Sequence, residues 1–377
     1  MAYQSFGTTR LSEYLGENVV YRNLVPADRR LPALADLRED LGLGELTPRK
    51  AEPDYGRVVA EMLRRARALD CPGVEISELV YIGDTRLNDG TAFRNILAAG
   101  GWVGWCFIGR DTLSQPAETT VEDAFYVTNR WNALPAFLAF LKEQGLALDE
   151  RTALVIDIDK TAIGARGRND QVINAARIEG VQRTVAGLLG ARFDLAAFLA
   201  SYDELNQSPY YGLTADNQDY LAYICLMLGA GLYDLDTVVG AVESGEMAGF
   251  ADFIGAVQSR RGELGPSGLT AIHDDVWTCV QQGDPTPFKA FRYNEYLTTV
   301  ARFGGGEGVA VGEALQETIV VTQEVRQAAL ALREAGVLIF GLSDKPDEAS
   351  VPSEAQASEG MRALHQLETL TVGEVED

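Results

Sequence analysis

Four short apolar runs, "ELVYIGD" (78–84), "WVGWCFIG" (102–109), "TALVIDID" (152–159) and "GVLIFGLSD" (336–344), constrain this chain more than any other feature. Each has strand length and is apolar on consecutive residues, so both faces of the strand would be covered. Amphipathic helical stretches separate them. "YGRVVAEMLRRARAL" (55–69) puts Val58, Val59, Met62, Leu63 and Ala66 on one face, and 133–145 and 320–336 follow the same period. Alternation of this kind predicts a Rossmann-like α/β core, a parallel sheet with helices on both faces.

Between Gly164 and Gly312 the pattern changes to helical periodicity with almost no strand signal, and "FGGGEG" (303–308) reads as a flexible exit. The expectation is an all-helical domain inserted into the α/β domain. The division is residues 1–35, a segment without a usable motif; 36–164, the first part of the core; 165–311, the helical insertion; and 312–377, the second part of the core.

Composition closes off several functions. The 377 residues carry a net charge of -23. Such a surface repels nucleic acid and anionic membranes, which both need clustered Lys and Arg. The longest uncharged run, Tyr220–Tyr233, is too short to span a bilayer. The N-terminus lacks the apolar core of a signal peptide. Cys71, Cys106, Cys225 and Cys279 lack metal-ligand spacing, and the only histidines are His273 and His365. A structural zinc site and a histidine triad are disfavoured, and reduced cysteines fit the cytoplasm.

The run at 152–159 ends in two aspartates. Ligands in a parallel α/β sheet bind at the carboxyl ends of the strands. A carboxylate there, Asp157, can attack phosphorus, and a second, Asp159, can protonate the leaving oxygen and then deprotonate water. Taken alone, the pair reads more readily as turn-capping aspartates. The other strand ends add to it. Strand 337–342 runs into Ser343, whose hydroxyl can hold a phosphoryl oxygen. Strand 79–82 runs into Asp84 and Asp89, which with Asp157 and Asp159 offer hard oxygen ligands for Mg²⁺. "TPRKAEPDYG" (47–56) sets Lys50 before the next helix. Its ammonium would keep Asp157 ionised and contact the phosphate.

These motifs resemble the haloacid dehalogenase (HAD) superfamily of aspartate-nucleophile phosphohydrolases. Its DxDx[TV] motif is similar to "DIDKT" (157–161), its strand-ending hydroxyl to Ser343, its lysine to Lys50 in "RKAEP", and its GDxxxxD to "GDTRLND" (83–89). The order here is Lys50, Asp84 and Asp89, Asp157 and Asp159, then Ser343, which implies a circular permutation. Lys345 is the rival for the lysine. The resemblance covers roughly residues 46–164 and 320–377. It implies that "LETLTVGEV" near the C-terminus supplies the strand after the Ser343 motif, and that the helical insertion is a C1-type cap closing over the site.

The function expected from the resemblance is Mg²⁺-dependent hydrolysis of a small phosphorylated metabolite through an aspartyl-phosphate. Substrate contacts would come from Thr161, Arg166, Arg168, Lys289, Arg292 and Tyr293. A phosphomutase or phosphotransferase on the same core, a receiver-like signalling domain, and a catalytically silent binding protein are the other readings. Neither the substrate nor the oligomeric state is legible.

Overall fold

The computed structural model describes residues 3–305 and 308–375; Gly306 and Glu307, inside the expected glycine-rich exit, lie outside that range. The chain divides into two compact units: residues 1–175 with 299–377, and residues 176–298. These bounds are tighter than the 165–311 read from the sequence.

The strands, in chain order, are β1 (Tyr3–Thr9), β2 (Val19–Val20), β3 (Glu78–Gly83), β4 (Val103–Gly109), β5 (Thr119–Glu122), β6 (Phe125–Thr128), β7 (Thr152–Asp157), β8 (Val321–Thr322), β9 (Leu338–Leu342) and β10 (Thr369–Glu374). Seven form one sheet in the order β2-β9-β7-β3-β4-β6-β5, and every neighbouring pair is parallel except β5 with β6. The fold is α/β with a mostly parallel sheet. β7, β3 and β9 are wholly buried.

Alternation along these strands divides the core between two faces. Val80, Ile82, Phe107, Leu154, Ile156 and Ile339 point into one cluster, closed by residues of helices Leu134–Glu143 and Gln323–Glu334. Leu79, Tyr81, Cys106, Val155, Leu338 and Phe340 point into the other, closed by helices Pro53–Asp70 and Asn88–Gly100. The apolar stripe Val58, Val59, Met62, Leu63 and Ala66 is buried there, as its period predicts. These two helices pack closely: a Cβ on Gly56 would lie 2.4 Å from the Asn95 carbonyl carbon.

The two ends of the chain depart from expectation. β10 does not extend the main sheet. It pairs antiparallel with β1 and parallel with β8 in a separate three-stranded sheet. The place beside β9 belongs to β2, where Val19 and Val20 pair with Gly341 and Leu342. Residues 1–35 therefore contribute a strand to each sheet. The physical reason is that a short apolar run specifies a strand but not its neighbour, and a two-residue strand carries no period to read.

Among the described residues, 176–298 contain only helices and turns. Their core is built on helix Gln218–Gly229, with residues 221–227 buried throughout, around Phe253, Phe288 and Phe291. No helix of the described residues is long and apolar enough to cross a membrane.

Candidate active site at the carboxyl ends of the central strands

Sheet register brings the motif residues to one level. Asp157, the last residue of β7, pairs with Leu342 of β9, so Ser343 follows immediately beside it. On the other side Ile156 pairs with Ile82 of β3, and Asp84 lies two residues further on. Asp89 returns to the same place from the first turn of helix Asn88–Gly100. One carboxylate oxygen from each of Asp84, Asp89 and Asp157 lies within 4.8 Å of the others.

Asp89 is the best-anchored of the three. Its Oδ2 accepts from the Asp84 and Thr85 backbone N–H groups at 3.1 and 2.9 Å and from Thr85 Oγ1 at 3.0 Å. Its Oδ1 accepts from Lys50 Nζ at 3.1 Å and from the Tyr81 hydroxyl at 3.3 Å. The close approach explains the glycine of the GD motif: a Cβ on Gly83 would fall 2.5 Å from Asp89 Cβ.

Lys50 is buried, and its Nζ also donates to Asp157 Oδ1 at 2.5 Å. Lys345, the rival lysine, has its backbone N–H on Ser343 Oγ at 3.0 Å. Ser343 is buried, with its own N–H on the Val20 carbonyl at 2.9 Å.

The electrostatics correct one expectation. Burial, together with the charge of Asp89, raises the Asp157 carboxyl well above the usual range, although Lys50 opposes this. Burial and Asp89 likewise push Asp84 up to about 7 against the pull of Arg166. Burial acts upward on Asp89 too, but Lys50, Asp84 and the Thr85 N–H override it, to about 2. Lys50 itself is driven well above its ordinary value: burial opposes its charge, and Asp157 leads the groups that outweigh it. Lys50 and Arg166 together do not balance three carboxylates, and Lys50 alone does not keep Asp157 ionised. A divalent cation would, by supplying the missing positive charge where oxygen ligands already converge. The donor set is hard, compact and short of positive charge, and it fits Mg²⁺. Asp159, expected as a fourth ligand, is not among the three converging carboxylates.

Arg166 joins this group, its Nε donating to Asp84 Oδ2 at 2.5 Å. Thr161 is fully buried in the turn after Asp157, and its Oγ1 has no hydrogen-bond partner.

Two of the proposed substrate residues are committed elsewhere. Arg168 is buried, with Nε on Asp111 Oδ2 at 2.8 Å and Nη1 and Nη2 each 2.9 Å from a Glu324 oxygen. Arg292 is buried in the helical unit, where Nε and Nη2 reach Asp219 and Nη1 reaches Glu295. In both places a buried guanidinium holds two carboxylates, which ties the side chain to the core. Lys289 is half-exposed and pairs with Asp284 at 2.8 Å, and Tyr293 is exposed.

Sequence reasoning missed Tyr81 and Thr85. A tyrosine in the middle of a wholly buried strand was the available signal, because its hydroxyl must find a partner. No family model, curated protein or solved structure matches this chain.

Proposed function

We propose that this chain is a divalent-cation-dependent phosphomonoesterase of the HAD kind, circularly permuted, with the helical unit as its substrate-selecting cap. One observation carries the reading: Asp157, Lys50, Asp84 and Asp89 converge at the ends of adjacent parallel strands, with Ser343 next to the residue paired with Asp157.

In this reading an Asp157 oxygen attacks phosphorus, the bond to the ester oxygen breaks, and Asp159 gives that oxygen a proton. Water then attacks the aspartyl-phosphate and Asp159 takes its proton. The bond to Asp157 breaks and inorganic phosphate leaves. The Ser343 hydroxyl and the Lys50 ammonium hold the phosphoryl oxygens through both steps. Asp84, Asp89 and Asp157 would hold Mg²⁺, which when bound screens the phosphate from the carboxylates and stabilises transition-state charge. The substrate class is a small phosphorylated metabolite, since a cap selects what it can enclose.

The test is hydrolysis of an aryl phosphate with Mg²⁺, with EDTA, and with Asp157→Asn. Release of inorganic phosphate that needs both the cation and Asp157 supports the reading. Activity that survives EDTA or the substitution overturns it.

A further inference from the structure

The strand-end cluster contains a cation that the catalytic scheme does not use. Arg166 Nε donates to Asp84 Oδ2 at 2.5 Å, at one of the three carboxylates that converge. The backbone behind it is held on several sides. Arg166 N–H donates to the Lys160 carbonyl at 2.8 Å, and the Arg166 carbonyl accepts from Asp111 N–H at 2.9 Å and Trp131 Nε1 at 3.2 Å. Gly167, next in the chain, has φ +78°, and a Cβ there would lie 2.0 Å from the Asp111 carbonyl oxygen. The side chain is different: it is 34% exposed, while Asp84 is 7% exposed. A fixed backbone anchor thus carries a partly exposed guanidinium.

We infer that Arg166 is a built-in counter-ion, exchanged for the divalent cation, which then meets the anionic end of the substrate. This rests on the reading of Asp84, Asp89 and Asp157 as a cation site. A guanidinium hydrogen-bonded to one of the converging carboxylates competes for its lone pairs and repels a dication beside it. Cation entry therefore works against this contact. The backbone anchor of Arg166 fixes how far the side chain goes, so the released guanidinium stays near the mouth of a site made for phosphate, where its planar fork suits phosphoryl oxygens. Cation and anion binding become coupled through one side chain.

The experiment is calorimetric titration of Mg²⁺, and then of inorganic phosphate at saturating Mg²⁺, into wild type, Arg166→Gln and Arg166→Lys, with thermal melting as the folding control. Arg166→Gln is expected to bind Mg²⁺ about tenfold tighter and phosphate about tenfold weaker, with Arg166→Lys between it and wild type for both. Opposite signs are the diagnostic, because a merely structural residue weakens both together. Mg²⁺ binding by Arg166→Gln alone is the extreme form of the expected result. Wild-type Mg²⁺ binding with unchanged or weaker binding in Arg166→Gln overturns the exchange and leaves the cation site standing, as does unchanged phosphate binding. Absence of Mg²⁺ binding in all three proteins removes the cation site, and the exchange with it.

Discussion

Lys50 and Arg168 are both buried cations facing more than one carboxylate, in the same unit of the chain, and they end in opposite conditions. Around Arg168 every oxygen of the two acids, Asp111 and Glu324, accepts a hydrogen bond. Glu324 takes two nitrogens, Asp111 takes the third, and the acids are also held by neutral donors: Tyr3 OH at 2.8 Å and Trp131 N–H at 3.1 Å on Asp111, and Glu374 N–H at 2.9 Å on Glu324. At the strand ends Lys50 and Arg166 face three carboxylates, and two of these, Asp157 and Asp84, are pushed toward the neutral form by burial and by the charge of Asp89. Side-chain types do not distinguish the two clusters. What distinguishes them is that burial and Asp89 hold two strand-end acids toward the neutral form, while both acids on Arg168 have a donor on every oxygen. A satisfied cluster holds structure together, and an unsatisfied one calls for a ligand.

The largest effect should separate the two directly. Asp157→Asn is expected to lower phosphatase turnover on the order of 10⁴-fold or more, as loss of a nucleophile does. Its melting temperature should not fall, because the amide keeps the shape, the carboxyl it replaces is already held toward its neutral form, and Lys50 keeps Asp89 at 3.1 Å. Arg168→Ala should do the reverse. It leaves Asp111 and Glu324 buried without their cation, a loss of about 3–5 kcal/mol. Activity per folded molecule at low temperature should hold. Denaturant unfolding beside steady-state kinetics reads both. Equal stability losses in the two variants would erase the distinction.

Asp84→Asn sharpens the comparison through pH. The folded carboxyl titrates at about 7, above its ordinary 3.8, because burial and the charge of Asp89 disfavour ionisation. Stability from this group is therefore complete below about pH 4 and is lost as pH rises through about 7. The variant should match the cation-free wild type near pH 4 and exceed it at pH 8 by about 2–3 kcal/mol, after allowing for the lost bond from Arg166. Adding Mg²⁺ should reverse the order, since only wild type gains stability from the bound ion. Unfolding curves at the two pH values, with and without Mg²⁺, test both halves. A variant less stable than wild type at pH 8 without Mg²⁺ would mean that Asp84 is a settled partner of Arg166.

The contrast also explains what could be read in advance. The central strands were legible because burial on both faces writes a continuous apolar run, and β3, β4, β7 and β9 all fall on such runs. Asp84, Asp89, Asp157 and Ser343 were legible because strand ends fix their level. Arg168 and Arg292 were misread because sequence does not display a partner. Glu324 lies 156 positions from Arg168, and Asp219 lies 73 from Arg292. A charge near a motif looks the same whether it faces solvent or a distant carboxylate. The position of β10 was misread for a related reason: "LTV" is compatible with either sheet, and the choice is made by β1, some 360 residues away in the chain.

The smallest effect bears on Thr161, which stands between the two conditions. It is fully buried in the turn after Asp157, and its backbone carbonyl accepts from Thr322 Oγ1 at 2.6 Å. Its own Oγ1 has no partner. A buried hydroxyl left unpaired is destabilising, and valine has nearly the same shape without it. Thr161→Val should therefore raise stability by about 1 kcal/mol in the free protein. If the hydroxyl belongs to the unsatisfied cluster, the same change should weaken phosphate binding at saturating Mg²⁺, because the group that costs stability in the free state is the one a phosphoryl oxygen would satisfy. Greater stability with unchanged phosphate affinity would make Thr161 a packing residue. Lower stability would mean that its hydroxyl already has a partner, and the surplus of unmet polarity at the strand ends would then be confined to the carboxylates.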